Sequence, residues 1–397
     1  MPVPNDYWPP FSPGEYARRH RLIRDLLARQ GLDALVIYGT HHTPFTDPGQ
    51  INITWAAGYA GFFHSYLVFP AAGEPSLVIP LGPWHLDNAR ELSAIPDVRG
   101  DVDVVACVID RLRALGLSRG RLGIVGTMEW IDQSIPWRHH ERLRAALPEA
   151  SLELVSKEYE DLRVVKSPEE LAVTERAAGI ADEAHEVLNR AARPGVTNTD
   201  LFNAVLAVVH ERGGRINMCH LGSTSTLNPD MFYADPLPVN RPLQAGDVIL
   251  TELCAGVAGY FAKIWGCTFV GEPTREYRRM FELAATSYRQ LREAVRPGGT
   301  GKDLEPYFAD AIEAAGYRSG SAIGGWGTYN QPPAIGKRAR ELTGADWRFE
   351  PGQTFTIMGW PISRDERQGV WAGDTCAVTE TGCRSLHRYP VAEIQVV

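Results

Sequence analysis

Two charged residues stand inside an otherwise apolar stretch in the second half of this 397-residue chain. Apolar runs over 248–253 and 260–270 are separated by Gly256 and Gly259, which is the pattern of a β-hairpin with a short turn. Glu252 lies in the first run and Lys263 in the second. Because an unpaired buried charge is strongly unfavourable, each must have a partner, a shifted pKa or a wet pocket. The hairpin is therefore where we expect chemistry.

A buried carboxylate at position 252 has two catalytic roles open to it. It can act as nucleophile on an electrophilic amidine or imide carbon, forming an acyl-type intermediate that water hydrolyses. It can instead be a general base for water if burial raises its pKa toward neutrality. Lys263, if it faces Glu252, would keep the carboxylate ionised and favour the nucleophile, but it can equally hold a substrate carboxylate or form a structural pair. Cys254 shares the strand face of Glu252 and fits better as a small buried hydrophobe than as a nucleophile.

The composition narrows the class of protein. Hydrophobic residues at 44% and charged residues at 22% are globular values, and the length suggests two domains of about 150 and about 240 residues. No apolar run approaches the roughly 18 residues of a membrane span and no signal-peptide pattern is present, so we expect a cytoplasmic protein. A net charge of -8 without a basic block argues against nucleic acid or a membrane as partner. Six cysteines without a CxxC pair indicate free thiols.

The first half of the chain alternates helix and strand patterns. The predicted helices cover 16–30 and 104–115, and the predicted strands cover 34–38, 65–69, 76–79 and 122–125. This alternation predicts an α/β domain. No GxGxxG opens a helix, so nucleotide binding has no support. His64 stands among aromatic residues at the mouth of a strand, where a structural role and a substrate contact are both open.

The second half repeats one order of signals. Ser167 followed by Pro168 predicts the start of a helix that runs to about residue 192, and a second helix is predicted over 201–212. After the hairpin come a helix over 275–295, the same Pro-Gly punctuation, and a helix that ends near Gly316. The repeated order predicts a duplicated α+β unit with an internal pseudo-twofold axis.

Short motifs in the second half occur in the order of a known superfamily. They are Arg163-Val-Val-Lys-Ser-Pro-Glu-Glu, Arg193-Pro-Gly-Val-Thr, Gly246-Asp-Val-Ile-Leu, Gly259-Tyr-Phe, Thr268-Phe-Val-Gly, Gly325-Trp-Gly, Pro332-Pro333, Glu350-Pro-Gly-Gln-Thr-Phe-Thr-Ile357 and Asp374-Thr-Cys-Ala-Val-Thr-Glu-Thr-Gly382. With them the chain resembles the creatinase/aminopeptidase P/methionine aminopeptidase superfamily, and its first half looks like the creatinase/prolidase type of first domain. The resemblance implies an α+β protein, with a smaller creatinase-type α/β domain over 1–160 and a pita-bread catalytic domain over 161–397.

The peptidases of that superfamily hold two metal ions with two Asp, one His and two Glu. By resemblance these positions fall, in order, on Glu252, Lys263, Gly324 or Ile323, Met358 and Gly373. Only one carboxylate remains, and a lysine ammonium at the centre would repel the cations. The resemblance therefore implies neither a metal nor another cofactor.

Two metal-free branches of the superfamily are similar to this chain. Creatinase uses a His just before the hairpin, where this sequence has Leu227 or Asn228, although His220 is nearby along the chain. Ectoine hydrolase resembles it more at the centre, with Glu at the first metal position and Met in place of the first metal Glu. The implied activity is metal-independent hydrolysis of a C–N bond in a small cyclic or amidine- or amide-containing amino acid derivative, with Glu252 and Lys263 as catalytic residues.

Further residues are candidates for substrate binding. An aromatic wall around a planar or cationic group is one hypothesis and simple core packing is the other. The position of His64 resembles one that, in creatinase-type dimers, reaches into the partner's active site, which implies a homodimer. The full set of candidates is His64, Phe62, His220, Asp230, Tyr260, Trp326, Tyr329, Met358 and Trp360.

Three other functions stay open at this point. One is an X-Pro type peptidase, which the missing metal ligands argue against. Another is a lyase acting on a small zwitterion. The third is a non-catalytic pita-bread binding module, against which the two charges retained at the centre of the hairpin count.

Overall fold

The computed structural model describes residues 11–40, 48–59, 61, 63–80, 85–127, 134–328, 331–338 and 341–397. The chain divides into two compact units, Met1–Arg163 and Val164–Val397. Across these described ranges, no helix is both long enough and apolar enough to span a membrane.

The first unit is built from helices around one mixed sheet. Its described helices are α1 Pro13–Gln30, α2 Ile51–Ala57, α3 Leu86–Leu92, α4 Val104–Ala114, α5 Trp137–Ala146 and α6 Ser156–Asp161. Its strands are β1 Ala34–Gly39, β2 Ser65–Pro70, β3 Ser76–Ile79, β4 Asp97–Gly100, β5 Arg121–Val125 and β6 Ser151–Leu154. They follow the order β4-β3-β2-β1-β5-β6.

Strand β1 shows why this sheet is covered on both faces. Its side chains alternate between two apolar clusters, with Leu35 and Ile37 in one and Val36 and Tyr38 in the other. The first cluster takes side chains from α1 and α2, and the second takes them from α4 and α5. A strand buried on both faces reads as a continuous apolar run, which agrees with the predicted α/β organisation.

The second unit combines helices with a large sheet. Its described helices are α7 Pro168–Ala191, α8 Asn198–Glu211, α9 Arg275–Ala294 and α10 Ala311–Ala314, with a 3-10 turn at Gly301–Leu304 and a π-helical turn at Pro306–Asp310. Its strands are β7 Arg215–Ser225, β8 Asp247–Val257, β9 Tyr260–Val270, β10 Arg318–Ser319, β11 Ser321–Gly325, β12 Gln331–Arg338, β13 Glu341–Thr343, β14 Thr354–Gly359, β15 Pro361–Ile362, β16 Ala372–Val378, β17 Cys383–Ser385 and β18 Gln395–Val396. The sheet has the order β13-β12-β11-β14-β16-β9-β8-β7.

The predicted hairpin is strands β8 and β9. Val257 pairs with Tyr260, so the turn between them consists of Ala258 and Gly259, both with positive φ. Two positive φ angles are the geometry of a tight type I′ turn, in which glycine is favoured. Gly256 therefore belongs to the strand, opposite Phe261, rather than to the turn.

The repeated order of elements holds, with one irregular member. Thr197 and Thr300 each form a capping box with an aspartate three residues later. After Thr197 the chain forms the regular helix α8, but after Thr300 it forms the 3-10 turn, the π-helical turn and the short α10. The predicted helix ending near Gly316 is present as this helical run, which ends with α10, although its first part is not regular α-helix. Pro306 lies in the first turn of the π-helical part, where its missing N–H costs no helical hydrogen bond.

Candidate active site

Glu252 and Lys263 form an ion pair at the centre of the second unit. Lys263 lies opposite Cys254 and Glu252 lies opposite Trp265, so the two charges are diagonal neighbours across the β8–β9 ladder. The Nζ atom of Lys263 donates to Oε1 of Glu252 at 2.5 Å. Both residues are buried, with 3% and 4% exposure. Of the three ways to bury these charges that the sequence left open, the structure shows mutual pairing.

The second oxygen of the carboxylate meets two further groups. Tyr233 donates its hydroxyl to Oε2 of Glu252 in a short hydrogen bond. Nδ1 of His220 lies 3.3 Å from the same oxygen, because His220 on β7 is directly opposite Glu252. Both oxygens of the carboxylate thus have polar partners, which is what burial of a charge demands.

The surroundings of Glu252 act on its pKa in opposite directions. Burial raises the pKa of this carboxyl, whereas the Lys263 ammonium and the polar contacts from His220 and Tyr233 lower it. The lowering effects prevail, so the pKa of Glu252 is below its usual range. Glu252 is consequently a carboxylate at neutral pH. For Tyr233, burial and the neighbouring negative charge raise the pKa, so its hydroxyl keeps its proton.

Lys263 is held from several sides. Its Nζ lies 3.4 Å from the centroid of the Trp326 ring, a cation–π contact in a buried setting. The backbone N–H of Lys263 donates to Oγ1 of Thr375 on β16 at 2.8 Å. The ammonium is therefore held between an anion and an aromatic face, and the backbone of Lys263 is held by the neighbouring strand.

Four aromatic side chains pack beside the ion pair, and we call them the aromatic group: Tyr233, Trp265, Trp360 and Trp371. Their ring centroids lie between 5.1 and 6.2 Å apart. The Trp371 ring is held in one orientation, since its Nε1 donates to the carbonyl oxygens of Thr251 and Gly266 at 3.0 Å each. Trp360 is only half-buried, so it gives this group an edge that solvent reaches.

A buried histidine supports the hairpin from the side of α7. Nε2 of His185 is 2.8 Å from Oγ1 of Thr251, the neighbour of Glu252. The His185 ring also stacks on Tyr389 at 4.4 Å between centroids. Burial lowers the pKa of His185 to about 4, so the ring is neutral at pH 7.

The strand pair β14–β16 supplies no ligating oxygen at Met358 or Gly373, the two residues on which the resemblance places glutamate ligands. Met358 lies opposite Gly373, and its buried thioether belongs to the apolar cluster that contains Trp265 and Trp371. At Gly373 a Cβ atom would lie 2.4 Å from the carbonyl oxygen of Ile357 and 2.6 Å from Cβ of Met358. The backbone of this pair therefore leaves no room for a side chain at position 373.

These residues do not fit a pair of metal ions. Glu252 already has partners on both oxygens, and the Lys263 ammonium occupies the space beside Oε1. Divalent metals in such sites need several oxygen or imidazole ligands, and a thioether and a glycine are poor replacements. Among the described residues no group of three or more His, Cys, Asp or Glu is arranged to hold a metal ion.

The structure brings five predicted site residues close to Glu252 and its neighbours. Besides Lys263, they are His220 at the carboxylate, Trp326 at the ammonium, Met358 in the apolar cluster and Trp360 in the aromatic group. Their roles in catalysis stay predictions.

Two other candidates have their described contacts elsewhere. Tyr260 is buried and donates its hydroxyl to Glu170 at 2.7 Å, at the start of α7. The exposed Asp230 accepts a hydrogen bond from Thr224 at 2.5 Å. Substrate contact by either residue stays a prediction.

His64 belongs to a ring cluster of the first unit. Its Nδ1 lies 2.5 Å from the hydroxyl of Tyr38, and its ring is 5.0 Å from that of His139 between centroids. Its reach into the site of a second copy stays a prediction. Phe62 and Tyr329 lie outside the described residues.

Sequence reasoning missed Tyr233, Trp265 and Trp371. Trp265 carried a usable signal, because it lies two positions after Lys263 and so shares its strand face. Tyr233 lies three positions after the candidate Asp230. No pattern in the sequence indicates that the Tyr233 hydroxyl, rather than the Asp230 carboxylate, reaches Glu252.

Comparison with known proteins covers almost the whole chain. Residues 172–380 match the model of metallopeptidase family M24, and residues 19–165 match that of the creatinase/prolidase N-terminal domain. The predicted fold class is confirmed by these matches, with a creatinase-type first domain followed by a pita-bread domain.

Individual relatives are distant in sequence. Ectoine hydrolase from Halomonas elongata is 24% identical over 413 residues, covering 96% of this chain and 97% of the relative. The prolidase structure from Pyrococcus horikoshii OT3 has a TM-score of 0.78 at 19% identity and covers 96% of this chain and 100% of its own. The dipeptidase PepE structure from Mycobacterium ulcerans has a TM-score of 0.77 at 24% identity, with coverage of 98% and 99%. At such identities the structures establish the fold alone.

Proposed function

The chain belongs to metallopeptidase family M24, and we propose that it is a hydrolase of C–N bonds that works without a metal ion, with Glu252 as its nucleophile. The substrate class is a small cyclic or amidine- or amide-containing amino acid derivative. The observation that carries the proposal is the buried ion pair of Glu252 and Lys263. By resemblance these are two positions at which peptidases of the family have metal ligands. The relatives include proteins named ectoine hydrolase and creatinase, and these names support such compounds as the substrate class.

The lowered pKa of Glu252 favours the nucleophile over the general base. A general base works best when its pKa lies near the operating pH, and the surroundings of Glu252 move its pKa the other way. A nucleophilic carboxylate needs only to be ionised and oriented toward the electrophilic carbon of the substrate. Lys263 ensures ionisation, and Tyr233 and His220 restrict the orientation of the carboxylate plane.

The reaction then proceeds in two steps. An oxygen of Glu252 forms a bond to the electrophilic carbon of the substrate, the C–N bond breaks, and the leaving nitrogen takes up a proton. Water next attacks the covalent intermediate and releases the carboxylate of Glu252 together with the product. His220, which is partly exposed and lies 3.3 Å from Glu252, is the group that delivers the proton to the leaving nitrogen and takes one from the attacking water. Tyr233 keeps its proton and orients the carboxylate.

The charge of the site agrees with a neutral or zwitterionic substrate. Glu252 and Lys263 neutralise each other within 2.5 Å, so the centre presents no net charge that a substrate must balance. The partly exposed His220 supplies an aromatic edge next to the carboxylate, and the half-buried Trp360 packs against Tyr233 beside it. A planar amidine or amide group is suited to stack there.

The test is turnover of ectoine, creatine and an X-Pro dipeptide with and without chelator, together with metal analysis of the purified protein by plasma mass spectrometry. The expected result is chelator-insensitive turnover of a non-peptide C–N substrate with less than one metal ion per chain. Acid-quenched samples analysed by peptide mass spectrometry should show a substrate adduct on Glu252. Unchanged turnover in Glu252→Gln would remove this residue as nucleophile.

An X-Pro peptidase is the second candidate, because solved prolidase and aminopeptidase structures share the fold across nearly the full chain. Under this candidate, Mn or Co would be required for hydrolysis of an X-Pro dipeptide, and about two ions would be bound per chain. That result would contradict the metal-free proposal.

A further inference from the structure

Two cysteine side chains meet on the hairpin of β16 and β17 in the second unit. Cys376 lies opposite Ser385 and Cys383 lies opposite Val378, so the two cysteines are diagonal neighbours across an antiparallel ladder. Cys376 and Val378 are two positions apart on one strand and share a face, which places both cysteine side chains on the same side of the hairpin. Their thiols hydrogen-bond to each other, and both are free cysteines.

Solvent reaches one member of this pair and not the other. Cys383 is half-buried, whereas Cys376 is fully buried. Burial, the contact with Cys383 and the nearby Asp374 raise the pKa of Cys376, so its thiol stays protonated and resists oxidants in solution. The structure describes all six cysteines, and Cys107 of the first unit is the other half-buried one. Cys383 is therefore the member of the pair that a dissolved oxidant contacts first.

A carboxyl group lies beside the buried member of the pair. The Cys376 thiol donates to Oδ1 of Asp374 at 3.2 Å, and the Ser385 hydroxyl donates to Oδ2 at 2.6 Å. Because the proton of Cys376 is directed to Asp374, the sulfur of Cys376 has its lone pairs available to Cys383. A sulfur lone pair next to a second sulfur is the arrangement from which a disulfide forms.

The short strand β17 allows the closer approach that a disulfide requires. The two Cβ atoms of a disulfide are about 3.5–4.5 Å apart, which is closer than diagonal neighbours lie in a regular ladder. Strand β17 is three residues long, and its listed sheet partner among the described strands is β16. At Gly382, directly before Cys383, nothing lies within 4 Å of an added Cβ atom. The start of β17 therefore has space in which to shift toward β16.

We propose that Cys376 and Cys383 are a site of reversible oxidation, at which hydrogen peroxide converts the two thiols to an intramolecular disulfide. First the Cys383 sulfur bonds to one peroxide oxygen, the O–O bond breaks, and the departing hydroxide takes the Cys383 proton and leaves as water. The product is a sulfenic acid. The Cys376 sulfur then bonds to the Cys383 sulfur, the S–O bond breaks, and the second hydroxide receives the Cys376 proton by way of Asp374. The two sulfurs together lose two electrons, and the peroxide is reduced to two water molecules.

This site goes beyond the proposed hydrolysis and does not depend on it, although the two are neighbours in the sheet. Thr375, the residue before Cys376, accepts the backbone N–H of Lys263 on its Oγ1 at 2.8 Å. A covalent bond at Cys376 therefore restrains the strand that holds the backbone of Lys263.

The experiment is treatment of the full chain with one equivalent of hydrogen peroxide at pH 7, followed by denaturation, alkylation of the remaining thiols and peptide mass spectrometry without reductant. We expect a pair of peptides joined through Cys376 and Cys383, lighter by two hydrogen atoms than the two reduced peptides together. Dithiothreitol should restore all six thiols. Absence of this linkage, linkage between other cysteines, or oxidation that stops at a sulfinic acid on Cys383 would overturn the proposal.

The decisive variant is Cys383→Ser, which should form no internal disulfide under the same treatment. Serine is close in size to cysteine and the position is half-buried, so we expect the variant to fold. Cys107→Ser is the matched control, because it removes the other half-buried thiol and should give the Cys376–Cys383 linkage to the same extent as the wild type. Loss of the linkage in Cys107→Ser, or an equal amount of internal disulfide in Cys383→Ser, would contradict the proposal.

Discussion

The two central strand pairs of the second unit have the same geometry and opposite chemistry. Both β8–β9 and β14–β16 are antiparallel, and they are joined where Trp265 on β9 pairs with Gly373 on β16. The first pair buries Glu252 and Lys263, whereas the second has Met358 opposite a glycine. The first pair therefore holds the buried ion pair, whereas positions 358 and 373 of the second pair contribute apolar packing.

The difference shows what a buried charge needs in this sheet. On β8–β9 each charge has its opposite, and Tyr233 and Trp326 supply further contacts. On β14–β16 the close approach of the strands at Gly373 leaves no space for a side chain. Met358 packs in the apolar cluster of Trp265 and Trp371, where an apolar side chain is more stable than an unpaired carboxylate.

Lys263→Met gives the largest expected effect, since it leaves Glu252 buried without its counter-ion. The variant should lose about 3–5 kcal/mol of unfolding free energy, measured by urea denaturation at pH 7. Methionine keeps the apolar stem against Trp326, so loss of packing contributes little.

The double variant Lys263→Met with Glu252→Gln tests the cause. Because no charge is left unpaired in it, it should be more stable than the single variant, and the cycle should give a clear coupling energy. A cost below about 1 kcal/mol for the single variant would show that the pair is not what holds this hairpin.

One buried group beside each strand pair should make the unfolding free energy change with pH, in opposite directions. His185, behind β8, has a folded-state pKa of about 4 against an ordinary value of 6.5, so the unfolded chain binds the extra proton between these values. Its contribution is present above pH 6.5 and lost as the pH falls toward 4, by up to about 3 kcal/mol. Asp374 on β16 has a pKa raised by burial, so its contribution is present below pH 3.8 and lost as the pH rises.

Urea denaturation of His185→Gln at pH 7 and pH 4.5 measures the first of these effects. The variant should show a smaller drop in stability on acidification than the wild type does. Burial also lowers the pKa of His139 in the first unit to about 4, so the wild type has a further acid-sensitive group that the variant retains. An unchanged pH dependence in the variant would exclude His185 as a main contributor.

Much of this architecture could be read from the sequence, because it depends on local signals. The capping box at Ser167 and the apolar runs around Gly259 determine where α7, β8 and β9 begin or end. The contact from Tyr233 to Glu252 and the close approach of the strands at Gly373 could not be predicted from the sequence. Both depend on register and loop path, which place residues together without any periodic pattern.

Gly373→Ala tests the apolar pair directly. The added Cβ would meet backbone atoms of β14, so the strands must shift, and we expect a loss of about 1–3 kcal/mol in unfolding free energy. Gly382→Ala is the matched control, since nothing lies within 4 Å of a Cβ there. A neutral Gly373→Ala would mean that this strand pair has room for a side chain, and would weaken the argument against metal ligands.

Met358→Leu has the smallest expected effect and separates packing from chemistry. If Met358 only fills space beside Trp265 and Trp371, a volume-conserving leucine should cost less than about 1.5 kcal/mol and leave turnover of the identified substrate nearly unchanged. Glu252→Gln, in contrast, should abolish turnover while the protein stays folded. A large loss of kcat in Met358→Leu, with stability intact, would show that the β14–β16 pair contacts the substrate and is more than packing for the β8–β9 pair.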